Sequence, residues 1–192
     1  MHQRRIRGAA IGALFCCSLT ACSTMAPQGY GRGENLRLPA QMPGKSWQVR
    51  RGREDQTDVS EWTQPGSPGV FVVRVMREGP GPNPADFRRM AEQGGNPACL
   101  TETSDTLDES AAGGTPRLLW LKTCSTRDAK HLANLLLYLR GADAHYLLIR
   151  RWGAAPQDAE LRQWEDYLRS VALCDTRSGH GAPCPLAGTV TP

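Results

Sequence analysis

LANLLLYLRGADAHYLLIRRWG, residues 132–153, holds two apolar runs on either side of a short polar break. Taken alone, LANLLLYL is equally compatible with a helix, since leucine is a good helix former and the leucines do not alternate cleanly with polar residues. Length and the break decide for strands. Each run is short, and Gly141-Ala142-Asp143 between them suits a tight hairpin. With 132–141 and 144–153 read as paired strands, the chain around them reads as a β-rich domain.

Upstream, PRLLWLKTCS (116–125) and ACLTETSDT (98–106) read as two further strands, separated by the polar stretch LDESAAGGT. SWQVRRGR (46–53), TDVSEWT (57–63) and GVFVVRVMRE (69–78) form an earlier group, divided by turn formers such as QPGSPG. The nearly continuous apolar run Val70 to Val73 with Val75 makes the last of these a central strand. Between the groups lies a short helix. Asn83 serves as its N-cap, Pro84 as its first residue, Asp86 as a first-turn acid and Gly94-Gly95 as its stop, while Phe87, Met90 and Ala91 share a face. The final element starts at Pro156. Leu161, Trp164, Leu168, Val171 and Ala172 recur at spacings of three and four, which gives one apolar stripe.

The order βββ-α-ββββ-α predicts an α+β domain over residues 46–175. It comprises an antiparallel sheet of about six to seven strands packed by two helices, both on one face. This order, with a tryptophan in the last helix, is similar to that of the Mog1/PsbP-like fold. That resemblance implies binding or assembly in place of catalysis.

The first residues, MHQRRIR, precede an uncharged run from Gly8 to Ala21, the layout of an export signal with a basic start and a short apolar middle. The run is shorter than the ~20 residues that a membrane-spanning helix needs. It ends in Leu19-Thr20-Ala21-Cys22, which resembles the lipobox of bacterial lipoprotein precursors. The resemblance implies cleavage after residue 21 and a lipid thioether on Cys22. Ser23, where an aspartate would favour the inner membrane, implies the periplasmic face of the outer membrane. A plain cleaved signal with an accidental cysteine is the alternative. Residues 22–45, rich in Gly and Pro, read as anchor and flexible tether. Residues 176–192 read as a disordered or disulfide-tied tail.

The formal charge of +4 over the whole chain includes three arginines of the leader, so removing residues 1–21 leaves 20 basic against 19 acidic residues. A nearly neutral domain offers no electrostatic footprint for nucleic acid. Cys99, Cys124, Cys174 and Cys184 remain besides Cys22, and an even number in an exported chain predicts two disulfides. Of the three connectivities we expect Cys99 with Cys124 and Cys174 with Cys184.

Catalytic motifs are absent from the sequence: no phosphate-binding glycine loop, no HExxH and no G-x-S-x-G. Ser125, Asp128 and His131 fall within seven residues, but triads are assembled from distant segments. TETSDTLDES (101–110) has four carboxylates without the ligand spacing or glycine of a calcium loop, and reads as a solvated polar loop. Neither a metal nor another cofactor is expected. Of the five tryptophans, Trp62 and Trp152, with Arg150 and Arg151, are candidates for an exposed recognition surface. Arg74 and Arg77 join them if the strands are neighbours. The alternative is that the tryptophans fill the core. The functional expectation is a lipid-anchored periplasmic domain with a non-catalytic binding or envelope-assembly role and an envelope protein as partner. A small-ligand-binding lipoprotein is the alternative, with a hydrolase of envelope polymers last.

Overall fold

The hairpin at 132–153 forms as its sequence requires. In the computed structural model, which describes residues 30–111 and 114–185, strand β7 (His131–Arg140) pairs antiparallel with β8 (His145–Trp152), and Gly141 N–H donates to Ala144 O at 3.0 Å across the turn. The other strands are β1 (Glu34–Arg37), β2 (Gln48–Glu54), β3 (Thr57–Thr63), β4 (Val70–Met76), β5 (Cys99–Ser110), β6 (Arg117–Thr126) and β9 (Ala172–Asp175). Helix α1 (Pro84–Gln93) joins β4 to β5, and α2 (Asp158–Arg169) joins β8 to β9. Seven strands pair antiparallel in the order β2-β3-β4-β8-β7-β6-β5, while β1 and β9 form a separate ribbon. The fold class is therefore α+β, with two helices on a mainly antiparallel framework. The strand read at 98–106 is β5, which runs on to Ser110, so residues 107–110 are strand and not part of the polar loop expected from the carboxylates of 101–110.

Successive side chains of a strand point to opposite faces. Phe71 and Val73, Leu119, Leu135, Leu137 and Leu139, and Tyr146 and Leu148 share one face, where they bury Trp164, Tyr167 and Leu168 of α2. Leu118, Trp120 and Tyr138 lie on the other, packed by Phe87 of α1, whose ring stacks on Tyr138 at 4.0 Å. The two helices thus cover opposite faces, which corrects the expectation that both lie on one. The cause is in the apolar runs that did not alternate: RLLWL and LLLYL are apolar on both sides and need cover on both.

Two buried arginines hold α2. Arg150 of β8 is 2% exposed, and its guanidinium carbon lies 5.5, 4.9 and 5.0 Å from the rings of Trp47, Trp152 and Trp164. Its Nη2 pairs with Glu160 in the first turn of α2 at 3.1 Å, and Trp152 Nε1 donates to the same oxygen at 2.7 Å. Glycine is required at 69, where a Cβ would stand 2.6 Å from Arg150 Nη1. At the other end, Arg117 of β6 donates from Nη2 to Leu168 O and from Nη1 to Arg169 O, both at 3.1 Å, adding a cationic donor to carbonyls of the last helical turn, of which Leu168 O also accepts from Val171 N at 3.2 Å.

The ordered domain extends beyond the boundaries 46–175. β1, within the expected tether, pairs with β9 from Glu34↔Asp175 to Arg37↔Ala172, and Met42 is buried in the α2-side core. Glu34 fixes this segment to the hairpin turn, accepting from Ala142 N at 2.7 Å and from Tyr146 OH at 3.1 Å. Residues 172–175, in part assigned to the helix by periodicity, leave it at Ser170 to make this pairing. Both expected disulfides are present, Cys99–Cys124 with Cα atoms 5.5 Å apart and Cys174–Cys184 with 4.7 Å. In the chain-entropy model each contributes about 3 kcal/mol. The tail is disulfide-tied as far as it is described, and Arg177 bridges Asp175 and Asp143. The leader and Cys22 lie outside the described residues.

Glu160→Gln is expected to lower the unfolding free energy by about 2 kcal/mol, since it removes a charged acceptor from a buried guanidinium. Arg150→Met, which removes the charge and keeps apolar bulk, should cost less than Glu160→Gln in denaturant titration. Hydrogen bonds from Arg177 hold the Asp175 carboxyl at about 2, below its ordinary 3.8. A carboxyl lowered in the folded state contributes stability that is present above its unfolded value and lost as pH falls through the folded one. Thermal midpoints measured from pH 5 to pH 2 should therefore fall less steeply in Asp175→Asn than in the parent chain.

Candidate functional site

Trp62, Trp152 and Arg150 do not form an exposed recognition surface: they are 6%, 5% and 2% exposed. Trp62 packs on Phe71, and Arg150 and Trp152, two residues apart on one strand, point together toward α2. Arg151 points the other way and is exposed. Arg74, on the neighbouring β4, shares its face and pairs with Glu54 at 3.0 Å, while Arg77 pairs with Asp58 at 2.8 Å. Of the predicted group, Arg151, Arg74 and Arg77 are accessible, and Arg151 and Arg74 share one face of the sheet.

That surface is the α1 side of the sheet. Cross-strand register sets Val72, Ile149, Leu136 and Trp120 in one row across β4, β8, β7 and β6. The next row runs Val59, Arg74, Leu147, Tyr138 and Leu118. Helix α1 packs on β6 and β7, over Trp120 and Tyr138. Val72 and Ile149, by contrast, belong to neither core cluster. An aliphatic floor therefore runs out from the edge of α1 across β8 to β4 and β3. Val72 and Ile149 are nonetheless only 6% and 9% exposed.

The charges around this floor are mostly matched. Arg50 faces Glu61 at 3.9 Å, Lys122 pairs with Glu102, and Arg74 pairs with Glu54. Arg151 donates to Asn134 Oδ1 at 3.3 Å and meets no carboxylate among the described residues. The arrangement offers apolar contact together with one free guanidinium. The sequence carried a signal for it: the unbroken apolar runs of β4 and β7 place more aliphatics on this face than a ten-residue helix can cover.

Two recesses were also formed. One of about 420 Å³, beneath α1, is lined by Arg88, Arg89, Glu92, Thr106 and Glu109. Its central charges are engaged with one another: Arg88 pairs with Glu92 at 2.8 Å and donates to Ser104 O at 2.8 Å. Burial opposes ionisation of Glu92, but hydrogen bonds from Ser104 and Arg88 outweigh it and hold its carboxyl below the ordinary range. The second, about 310 Å³, lies between the ends of β6 and β7 and the start of α2, with Leu121, Ala133, Pro156 and Leu161 as apolar lining. Ser125 Oγ and His131 Nδ1, 3.0 Å apart, stand at this recess. Asp128 does not complete a triad, since it accepts from Thr126 Oγ1 and pairs with Lys130. His145 contacts Gly79 O at 3.2 Å, and His180 lies in the tied tail.

Among the described residues no group of His, Cys, Asp and Glu is placed to hold a metal ion, and no helix is long and apolar enough to cross a membrane. No protein-family model matches the chain, and no curated protein matches it.

If the aliphatic floor lacks cover, truncating it should cost less than truncating the core on the same strand. Ile149→Ala is expected to lose about 2 kcal/mol and Leu148→Ala about 4 kcal/mol in urea titrations.

Proposed function

We propose that the chain is a lipid-anchored domain of the bacterial outer membrane, facing the periplasm, with a non-catalytic role in binding or assembling an envelope protein. The observation that carries the binding role is the pair Val72 and Ile149 beside Val59, aliphatics of the α1 face that belong to neither core cluster. The partner that fits it presents an apolar ridge flanked by a carboxylate. Val59, Val72 and Leu147 would meet the ridge once Arg74 and Arg151 swing aside, and Arg151 would take the carboxylate. The address is supported by Leu19-Thr20-Ala21-Cys22 and the basic start before it. With acyl chains on Cys22, each buried methylene would contribute about 0.8 kcal/mol, enough in two chains for stable anchoring.

Membrane fractionation tests the address. Cys22→Ala should leave the membrane fraction once unprocessed precursor is excluded, and its full retention would contradict the anchor. A photocrosslinking side chain at Val59, introduced into the full chain in living cells, tests the surface. It should yield a discrete adduct that disappears with Ile149→Glu and weakens with Arg151→Glu. No adduct at Val59, or one indifferent to both substitutions, would remove this face as the site.

A second reading, a small-ligand-binding lipoprotein, draws on the 310 Å³ recess, whose apolar wall and two convergent polar groups suit a small amphiphile. It requires no tryptophan groove, since those rings are interior. Hydrolysis has less support, because no carboxylate orients His131 among the described residues.

A further inference from the structure

The two edges of the seven-stranded sheet are unlike. β2 carries Arg50, Arg51 and Arg53 against the single acid Glu54, and all seven of its residues are exposed. β5 carries Glu102, Asp105, Asp108 and Glu109 and no basic residue. Among the described residues β2 pairs only with β3 and β5 only with β6, so each presents a row of backbone groups unpaired with another strand, apart from Ser104 O and Leu107 O of β5, which accept from Arg88 and Arg169. Such a row is a template for another strand unless something blocks it.

The charges block some pairings and leave one. β2 against β2 sets arginines beside arginines, and β5 against β5 sets carboxylates beside carboxylates, arrangements that destabilise a strand pair. β2 of one copy against β5 of the next sets opposite signs together. Length agrees: register shifts at Cys99/Thr101 and Thr106/Asp108 bound a regular stretch, Thr101–Thr106, close to the span of β2. Direction and facing agree as well. Six successive antiparallel pairings leave β2 and β5 pointing the same way, so a copy displaced sideways without inversion pairs them in parallel and keeps the α2 faces on one side. Arg51 and Arg53 then share the α2 face with Asp105, and Arg50 shares the α1 face with Glu102. Arg51 and Asp105 are exposed, and neither has an ionic partner among the described residues.

We propose that copies of this chain associate head to tail through their sheet edges, the arginine-bearing β2 of one docking on the acidic Thr101–Thr106 stretch of the next. Because the two patches differ, the contact does not close on itself as a two-fold dimer and can add copies in a row. It lies at the sheet edges, apart from the aliphatic floor, and does not depend on the reading of that face.

Sedimentation velocity of the full chain in detergent tests this. Up to about 100 µM, a range that detects weak contacts, the parent chain should show an average mass that rises with concentration without levelling at a dimer and falls with added salt. Arg51→Glu and Asp105→Lys, single exposed changes, should each weaken association roughly tenfold, since attraction becomes repulsion across the pair. Mixing the two variants should restore association, because the unaltered β2 of Asp105→Lys meets the unaltered β5 of Arg51→Glu, and the two reversed charges attract at the alternate contact. A parent chain that stays monomeric, a closed dimer, or a mixture no more associated than its components would overturn the proposal. Circular dichroism of both variants establishes that they are folded.

Discussion

The grip of two sheet arginines on helix α2 organises this domain. Arg150 and Arg117 rise from β8 and β6 on the same face, one pairing with Glu160 in the first turn and the other donating to carbonyls of the last. Each works with the helix dipole: Glu160 is an acid near the positive end, and Arg117 a cation at the negative end. Burial lowers the affinity of Arg150 for a proton even with Glu160 beside it. Among the described residues its Nε and Nη1 find no hydrogen-bond partner, and three indole rings surround the guanidinium. Helix position, strand register and the approach of Gly69 are thereby fixed together.

This constraint decides which face is left for other work. With α2 docked, and Met42 and Trp47 of the N-terminal segment packed beside it, one side of the sheet is closed. The tryptophans that make recognition surfaces attractive in a sequence are consumed in closing it. On the opposite side α1 covers only the β6–β7 half, anchored by Phe87 on Tyr138, and Tyr138 OH donates to Pro82 O at 2.9 Å to hold the loop that leads into the helix. Burial pushes that phenol up to about 12, so the bond persists well above neutral pH. The aliphatics of β4 and β8 remain with side-chain cover alone.

The ends of the domain are fastened to each other. β1 and β9 pair, Gly33 N donates to Thr176 Oγ1 at 2.8 Å, and Cys184 returns the tail to Cys174. The Cys99–Cys124 bond fastens the start of edge strand β5 to β6. Chain entry and exit are thus tied by a paired strand and a cross-linked tail.

What the sequence determined was local. The 141–143 turn, the Asn83 cap and the stripe of Leu161, Trp164 and Leu168 each depend on residues near one another in the chain, and all stand where they were read, as does the pairing of cysteines that close short loops. Tertiary structure alone decided what depends on partners far away. A period-two pattern says which residues share a face, but where both faces are apolar, as in β6 and β7, nothing local states which helix covers which. Leu36 and Met42 look like stray apolar residues in a polar, glycine-rich tether until β9, more than a hundred positions later, offers that tether a strand to pair with. Arg150 reads as a surface cation beside Arg151, because burying a guanidinium is permitted only when an acid and aromatic faces converge on it, and Trp47, Trp164 and Glu160 come from segments that the fold must first bring together.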